Sequence, residues 1–147
     1  MKRQSVRSYV LAGVQFICMG AILVSGPWVA GNGWFFALEL SGILLLVWAI
    51  FTMRITKVNV FPDVKAGSRL VTNGPYQWIR HPMYTALLMI MLALVCESFS
   101  YWRGFWWSVL CADLVAKLSY EEKLLGEVFD DYEAYRLRTW RLVPWLF

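Results

Sequence analysis

Residues 73–84, NGPYQWIRHPMY, hold the only histidine of the chain, His81, between Arg80 and Pro82. An imidazole can act as a general base or as a hydrogen-bonding contact, and the nearby Tyr76 and Tyr84 offer aromatic faces to a cation. Proline fits the first turn of a helix, whereas the residue before a proline is disfavoured in the helical conformation. We therefore predict that a helix starts just after His81, with free N–H groups that suit an anion.

A second set of ionisable residues, Asp113, Lys117 and Glu121, recurs every four residues in a largely apolar stretch. This spacing places the three side chains on one face of a helix. Two interpretations stay open at this point. The face lines a polar cavity, or Lys117 extends towards the helix end and forms a salt bridge with Glu121.

The composition indicates which elements position these residues. The chain has 147 residues, of which 59% are hydrophobic, and its mean hydropathy is +0.51. Soluble domains are about 45–50% apolar, so the composition indicates a membrane protein. The length allows a single domain over residues 1–147. It leaves no room for a separate doubly wound nucleotide-binding domain, so any cofactor must be held by the helices and their loops.

Hydropathy predicts an all-α fold with four membrane spans, at about 9–30, 34–53, 83–101 and 104–120. Pro27 is expected to kink or end the first span. Residues 55–82 are polar and rich in glycine and proline, which predicts a turn-rich loop. Apolar residues at helical spacing over 120–140 predict that the fourth span continues as an amphipathic helix at the membrane interface, stopped by Pro144.

The basic residues predict the orientation. Thirteen of the fourteen Lys and Arg residues fall on one side of this topology, and only Arg103 falls on the other. Because positive charge concentrates on the cytoplasmic side of membrane proteins, both termini and the middle loop are expected to be cytoplasmic. The net charge of +4 therefore reflects topology, and we expect no affinity for nucleic acid.

The third and fourth spans should form a helical hairpin, because only residues 97–103 or so connect them. The hairpin brings the start of span three and residues 117–122 to the same membrane face, so His81 should lie near Glu121. Helix N–H donors on one side and a carboxylate on the other suit a zwitterion, such as the methionine end of S-adenosylmethionine.

Two further observations concern the apolar segments. Cys18, Cys96 and Cys111 lie in apolar runs without metal-ligand spacing, which predicts buried reduced thiols and no metal site. Glu39 lies inside the second span. It is a substrate-pathway residue, the proton site of a small transporter, or a satisfied interior carboxyl.

The segment LVTNGPYQWIRHPMY (70–84), followed by EEKLLGEVFDDYEAY (121–135), resembles the isoprenylcysteine carboxyl methyltransferase family. NVFPDVKAGSRLV (59–71) is similar to bacterial members, which implies an integral protein of a bacterial inner membrane. The resemblance implies a helical membrane enzyme that uses S-adenosylmethionine, with a cofactor pocket formed by residues 59–84 and 117–144. The residues implied to bind the cofactor are Leu70, Val71, Tyr76, His81, Pro82, Met83, Tyr84, Glu121 and Glu122.

The residues implied at the reaction centre are Arg80, His81, Lys117 and Glu121. Lys117 stands where the eukaryotic branch has an arginine that meets the substrate carboxylate, so the charge is kept but the two-pronged grip is lost. Residues 129–132, FDDY, depart from the family pattern F-G-x-x-Y.

Arg80 would hold the cofactor's carboxylate, brace the loop or contact a lipid phosphate. A carboxylate acceptor needs no general base, whereas with an amine or a thiol His81 or Glu121 would take the proton.

The leading hypothesis is S-adenosylmethionine-dependent methyl transfer to a lipophilic acceptor at the membrane interface, above all carboxyl O-methylation of an isoprenylcysteine-like substrate. Three alternatives are N-methylation of a phospholipid amine, a membrane NAD(P)H-dependent reductase and a small four-helix transporter that uses Glu39. The sequence leaves the identity of the acceptor and the oligomeric state open.

Overall fold

The computed structural model describes residues 6–54 and 70–147. Over these residues the fold is all-helical, and the extended pairing is one isolated bridge between Ile79 and Trp140. A short 3-10 helix covers Gly74–Gln77. The α-helices are α1 Val6–Val24, α2 Gly33–Arg54, α3 Pro82–Glu97, α4 Tyr101–Val128 and α5 Tyr132–Arg136. The predicted pocket segment 59–84 lies outside the described residues up to position 69.

Local signals in the sequence set the starts of three helices. The Asn32 side chain accepts the Trp34 N–H at 3.0 Å where α2 begins. Pro82 occupies the first turn of α3, and Ser100 accepts the Arg103 N–H at the start of α4. The Asn32 and Ser100 side chains satisfy backbone donors that have no partner inside a helix, whereas Pro82 brings no N–H that would need a partner.

Two described helices, Val6–Val24 and Gly33–Met53, are long and apolar enough to cross a membrane. The apolar α3 has 16 residues, which is shorter than the roughly 20 that a span requires. The 28 residues of α4 include buried charged residues. The all-helical fold and membrane association therefore stand, whereas the four-span topology stays a prediction.

Three predicted helix ends were wrong. The first helix ends at Val24, before Gly26 and Pro27, and not at residue 30. α3 ends at Glu97, because Ser98 leaves the helical conformation; this end differs from the predicted span end at 101 but agrees with the predicted connection at about 97–103. The amphipathic helix predicted over 120–140 is not continuous: α4 ends at Val128, and Phe129 adopts an extended backbone before the five-residue α5.

The core lies where α1, α3 and α4 meet, and α3 and α4 form the predicted antiparallel hairpin. Its buried members are Cys18, Ile22, Met91, Leu94, Val95, Leu110 and Leu114. Cys18 is buried as predicted, but Cys96 and Cys111 are only partly buried, and all three are free thiols. This core fixes the position of α4 relative to the first turn of α3.

At the end of the bundle opposite His81, buried charged groups hold chain connections in place. Glu39 accepts the Ala30 N–H at 2.9 Å, which matches its interpretation as a satisfied interior carboxyl. Arg103, only 1% exposed, donates to the carbonyl of Ser98 at 2.8 Å. These contacts tie the α1–α2 and α3–α4 connections to the ends of the helices.

Replacing Gly42 with alanine should destabilise the contact between α2 and α3. A Cβ atom at position 42 would lie 2.8 Å from Ile90 Cγ1 and 3.0 Å from the Ala86 carbonyl oxygen. Overpacking of this kind costs about 1–3 kcal/mol, so we expect a lower melting temperature in detergent. Gly20→Ala is the matched control, because nothing lies within 4 Å of its added Cβ. It should leave the melting temperature unchanged or raise it.

Candidate functional site

The candidate site lies at the first turn of α3. Pro82 opens the helix, and His81 precedes it with a non-helical backbone (φ −123°, ψ 58°), as the sequence predicted. The backbone N–H groups of Tyr84 and Thr85 both donate to the His81 carbonyl. The His81 side chain is therefore held at the helix start, where it is 7% exposed.

His81 faces two glutamates of α4, which confirms the predicted juxtaposition with Glu121. His81 Nδ1 lies 3.4 Å from Glu121 Oε2, and Nε2 lies 3.5 Å from Glu122 Oε1. Tyr84 stacks on the imidazole with ring centroids 5.6 Å apart, and its hydroxyl donates to Glu121 Oε1. We call these four residues the histidine–glutamate cluster.

The two glutamates differ in how fully their oxygens are used. Arg80 Nε donates to Glu122 Oε1 at 2.8 Å. Arg141 Nε and Nη2 both lie near the other oxygen, Oε2, at 3.0 and 2.9 Å. With His81 nearby, three basic groups surround Glu122, whose side chain is 7% exposed, against 18% for Glu121. Glu121 is therefore the more accessible carboxylate.

Arg80 acts as a brace between the loop before α3 and the end of the chain. Besides Glu122, its Nη1 donates to the carbonyls of Arg136, at 3.0 Å, and Thr139. Its side chain is 8% exposed. Of the three roles weighed from the sequence, bracing is the one that these contacts display.

Lys117 lies one helical turn before Glu121 and is 3% exposed. Its ammonium donates to the Gln15 side chain on α1 at 2.9 Å and lies 5.4 Å from the centroid of the Tyr84 ring. The alternative of a Lys117–Glu121 salt bridge is therefore wrong. Asp113, one turn further into the bundle, is 7% exposed, and its Oδ2 has no hydrogen-bond partner among the described residues.

The other residues predicted to bind the cofactor lie outside the histidine–glutamate cluster. Tyr76 is 5% exposed, and its hydroxyl lies 3.8 Å from the Met53 sulfur on α2. Its carbonyl accepts the Tyr135 hydroxyl at 2.6 Å. Leu70, Val71 and Met83 are partly buried and Pro82 is buried.

A cleft of about 900 Å³ opens between residues 70–77 and the end of α4 with α5. Its lining includes Leu70, Gln77, Phe129, Tyr135 and Thr139. The cleft includes neither His81 nor Glu121, and Leu70 is the one predicted site residue among the described residues that line it. Tyr135 connects the cleft to the 3-10 helix, because it lines the cleft and its hydroxyl also donates to the Tyr76 carbonyl.

Residues 33–132 match the family of phospholipid methyltransferases. The chain belongs to this family. No curated protein matches the chain. The match contains the whole histidine–glutamate cluster but ends before Arg141.

Membership of the phospholipid methyltransferase family implies membrane methyltransferase activity. It confirms the predicted resemblance at the level of this membrane methyltransferase family, whereas the isoprenylcysteine branch stays a prediction. It also favours methyl transfer over the reductase and transporter alternatives.

Sequence reasoning missed three residues around the site of this methyltransferase: Arg141, Gln15 and Tyr135. Arg141 and Gln15 contact Glu122 and Lys117 from distant parts of the chain. Neither belongs to a spacing pattern, so no local signal marked them. Tyr135 was visible as an apolar member of the tail, but its bond to Tyr76 depends on the break after Val128.

The charges of the cluster shift the pKa values of His81 and Glu122 in opposite directions. Burial lowers the pKa of His81, but hydrogen bonds and charge from Glu121 and Glu122 outweigh it and raise the pKa above the ordinary 6.5. Burial raises the pKa of Glu122, but His81 and Arg80 outweigh it and lower the pKa from 4.5 to about 2. The pair therefore favours an imidazolium beside a carboxylate.

These shifts predict how stability depends on pH. The contribution of His81 to stability is fully present below pH 6.5 and is lost as the pH rises through the raised pKa of His81 in the folded protein. The Glu122 contribution is present above pH 4.5 and is lost as the pH falls towards about 2. We expect the melting temperature to be highest between these limits. His81→Gln should remove the decline on the alkaline side and weaken the decline on the acid side, because His81 also helps to lower the pKa of Glu122. A decline in His81→Gln equal to that of the wild type would contradict this prediction.

Proposed function

We propose that the protein transfers a methyl group from S-adenosylmethionine to the carboxylate of a lipophilic, isoprenylcysteine-like acceptor. In this proposal four helices cross the membrane, and the site lies at their cytoplasmic end. The observation that carries the proposal is the histidine–glutamate cluster at the start of α3, with the buried Lys117 one turn away on α4. The cluster offers an accessible carboxylate, and Lys117 offers a cation.

The residues of the cluster fit the charged end of S-adenosylmethionine. A carboxylate has about four acceptor positions, and among the described residues Glu121 contacts Tyr84 and His81. Glu121 can therefore accept further N–H groups from an ammonium. Glu122 fits this role less well, because Arg80 and Arg141 already occupy its two oxygens.

The bound cofactor supplies an electrophilic methyl group on a positively charged sulfur. An anion beside that sulfur would stabilise the ground state, in which the charge is present, more than the transition state, in which it is fading. Glu121 therefore acts best at the amino group, where it orients without slowing the transfer. The His81 imidazole and the Tyr84 ring stack at 5.6 Å and limit the freedom of this carboxylate. Positioning supplies most of the rate enhancement in this proposal.

Lys117 is the residue that we assign to the acceptor. Its hydrogen-bond partner Gln15 is a neutral amide, and no carboxylate of the described residues lies within 4.0 Å of its ammonium. The positive charge of Lys117 is thus free of a direct ion pair, and it would attract a carboxylate. A carboxylate acceptor is already deprotonated at neutral pH, so the transfer needs no general base.

A second candidate function is N-methylation of a phospholipid amine, which the description of the matched family favours. An ammonium must lose a proton before it can attack a methyl group, so this reaction needs a base. Glu121 is the group of the cluster that would take the proton, because the cluster favours a His81 that is already protonated.

Labelled-methyl transfer separates the two candidates. The purified protein is incubated with methyl-labelled S-adenosylmethionine and a membrane lipid extract, and the labelled lipid is then treated with alkali. A methyl ester releases its label as volatile methanol, whereas an N-methyl group keeps it. We expect volatile label. Label that resists alkali would support the phospholipid amine instead, and no labelled lipid would contradict both candidates.

Lys117→Met should weaken the use of a carboxylate acceptor. Loss of a charge-assisted contact costs about 1.5–3 kcal/mol, so we expect KM for the acceptor to rise at least about tenfold. Binding of S-adenosylhomocysteine should persist. Lys117→Arg should retain most of the activity, and Lys123→Met is the control, because Lys123 is exposed on the same helix. Unchanged KM in Lys117→Met would remove Lys117 from the acceptor site.

A further inference from the structure

The end of the chain runs alongside the loop that carries His81. Residues 139–142, which we call the C-terminal strap, pair with residues 78–81. Trp140 N–H donates to the Trp78 carbonyl at 3.0 Å, Arg80 N–H donates to the Trp140 carbonyl at 2.7 Å, and His81 N–H donates to the Arg141 carbonyl at 3.1 Å. The Thr85 hydroxyl extends the contact to the Leu142 carbonyl at 2.7 Å. The strap therefore fixes the backbone of His81 directly.

A side-chain contact fastens the same strap to α4. Arg141 places Nε and Nη2 at 3.0 and 2.9 Å from Glu122 Oε2, and Arg80 holds the other carboxylate oxygen. Arg141 thus joins its own backbone bond to His81 with a charged bond to the helix that carries Glu121. Charge-assisted bonds of this kind are among the stronger ones in proteins.

We propose that Arg141 is a positioning residue of this site, which holds His81 in register with Glu121 through the C-terminal strap and Glu122. The inference rests on the proposed function, because positioning affects methyl transfer only if the cluster faces the cofactor. Arg141 lies beyond the segment that matches the methyltransferase family, which ends at residue 132.

The charge of Arg141 should change the protonation of His81 in a predictable direction. A general loss of stability would not produce such a directed change. The charged and titratable groups around His81 are Glu121 and Glu122 from α4, Tyr84 from α3, Arg80 from its own loop and Arg141 from the strap. Removing Arg141 leaves the negative charge of Glu122 less neutralised, which favours the imidazolium. Removing the charge of Glu122 has the opposite effect.

The single histidine makes this signature measurable by NMR. In protein labelled at histidine, one imidazole signal reports the titration of His81, independently of catalysis. We expect Arg141→Ala to move this titration to higher pH and Glu122→Gln to move it to lower pH. Arg136→Ala is the control, because the Arg136 side chain is 52% exposed and, among the described residues, forms its ion pair with Glu133 at 3.6 Å. The titration of His81 in this variant should match the wild type.

Methyl transfer provides the second readout. We expect Arg141→Ala to lower kcat by about tenfold or more, because small misplacements at a reacting centre are costly, and Arg141→Lys to restore part of it. If Arg141→Ala does not purify as a folded protein, Arg141→Gln removes the charge with less loss of volume.

The proposal for Arg141 would be overturned if Arg141→Ala or Arg141→Gln had the same His81 titration and the same kcat as the wild type. A wild-type protein that transfers no methyl group would instead overturn the proposed function, and the NMR titration would still show whether Arg141 acts on His81.

Discussion

Exchanging Glu121 for glutamine should sharply reduce the rise in melting temperature that S-adenosylhomocysteine gives to the detergent-purified protein. Glu121 is the accessible carboxylate of the cluster, and its oxygens face Tyr84 and His81. Glutamine keeps the size of the side chain but removes the charge that an ammonium requires. Losing a charged hydrogen-bond partner costs about 1.5–3 kcal/mol, so we expect affinity to fall between about tenfold and a hundredfold, with methyl transfer falling at least as far.

Glu127→Gln is the matched control for this experiment. Glu127 lies on the same helix and is exposed, so the exchange removes the same charge from α4 outside the cluster. It should leave the ligand-induced shift at its wild-type size. The assignment of the two glutamates would be reversed if Glu121→Gln kept the shift while Glu122→Gln, compared with its own ligand-free melting temperature, lost it.

Much of this site follows from the sequence, because a few local rules decide it. The pair of His81 and Pro82 sets the start of α3. A short connection turns α4 back along α3, so Glu121 must return to the level of His81. These two steps need only hydropathy and the chemistry of proline, and the observed 3.4 Å contact is their consequence.

The remaining contacts depend on packing between segments that are distant in the chain. Lys117 bonds to Gln15, which lies 102 residues earlier, and nothing in the spacing of α4 indicates a partner on α1. Glu122 has the same sequence context as Glu121, yet α4 turns it towards Arg80 and Arg141. Sequence reasoning placed both glutamates at the cofactor, whereas their surroundings in the fold separate an accessible carboxylate from a buried one.

The end of α4 illustrates a different limit. Apolar residues at helical spacing continue past Val128, which predicted an uninterrupted helix, but the backbone becomes extended at Phe129. The break lets residues 137–147 turn back towards α3, where Thr85 bonds to the Leu142 carbonyl. The break is therefore stabilised by contacts between distant segments of the folded chain. The spacing of apolar residues within one segment cannot predict such contacts.

The contact between Arg80 and Glu122 should contribute strongly to the stability of the fold. Both side chains are almost fully buried, at 8% and 7% exposure. Removing one partner of a buried ion pair leaves an uncompensated charge and costs about 3–5 kcal/mol. We therefore expect Glu122→Gln, which leaves the buried Arg80 without a carboxylate, to lower the melting temperature markedly in the absence of any cofactor. Arg80→Met should lower it less, because Arg141 and His81 still lie beside Glu122. Arg136→Ala should change it little, because exposed pairs contribute about 0–1 kcal/mol.

The double variant decides what Arg80 does. If Arg80 is a brace, Arg80→Met with Glu122→Gln should lose less stability than the sum of the single variants, because Arg80→Met removes the buried charge that Glu122→Gln leaves without a carboxylate. If Arg80 instead holds the carboxylate of the cofactor, Arg80→Met should melt like the wild type without ligand and lose only the shift caused by S-adenosylhomocysteine. The bonds of Arg80 to Glu122 and to the Arg136 and Thr139 carbonyls favour the first outcome. Arg80 would then support the site by holding the chain end against α4, and Glu121 would remain the residue that we propose to contact the cofactor.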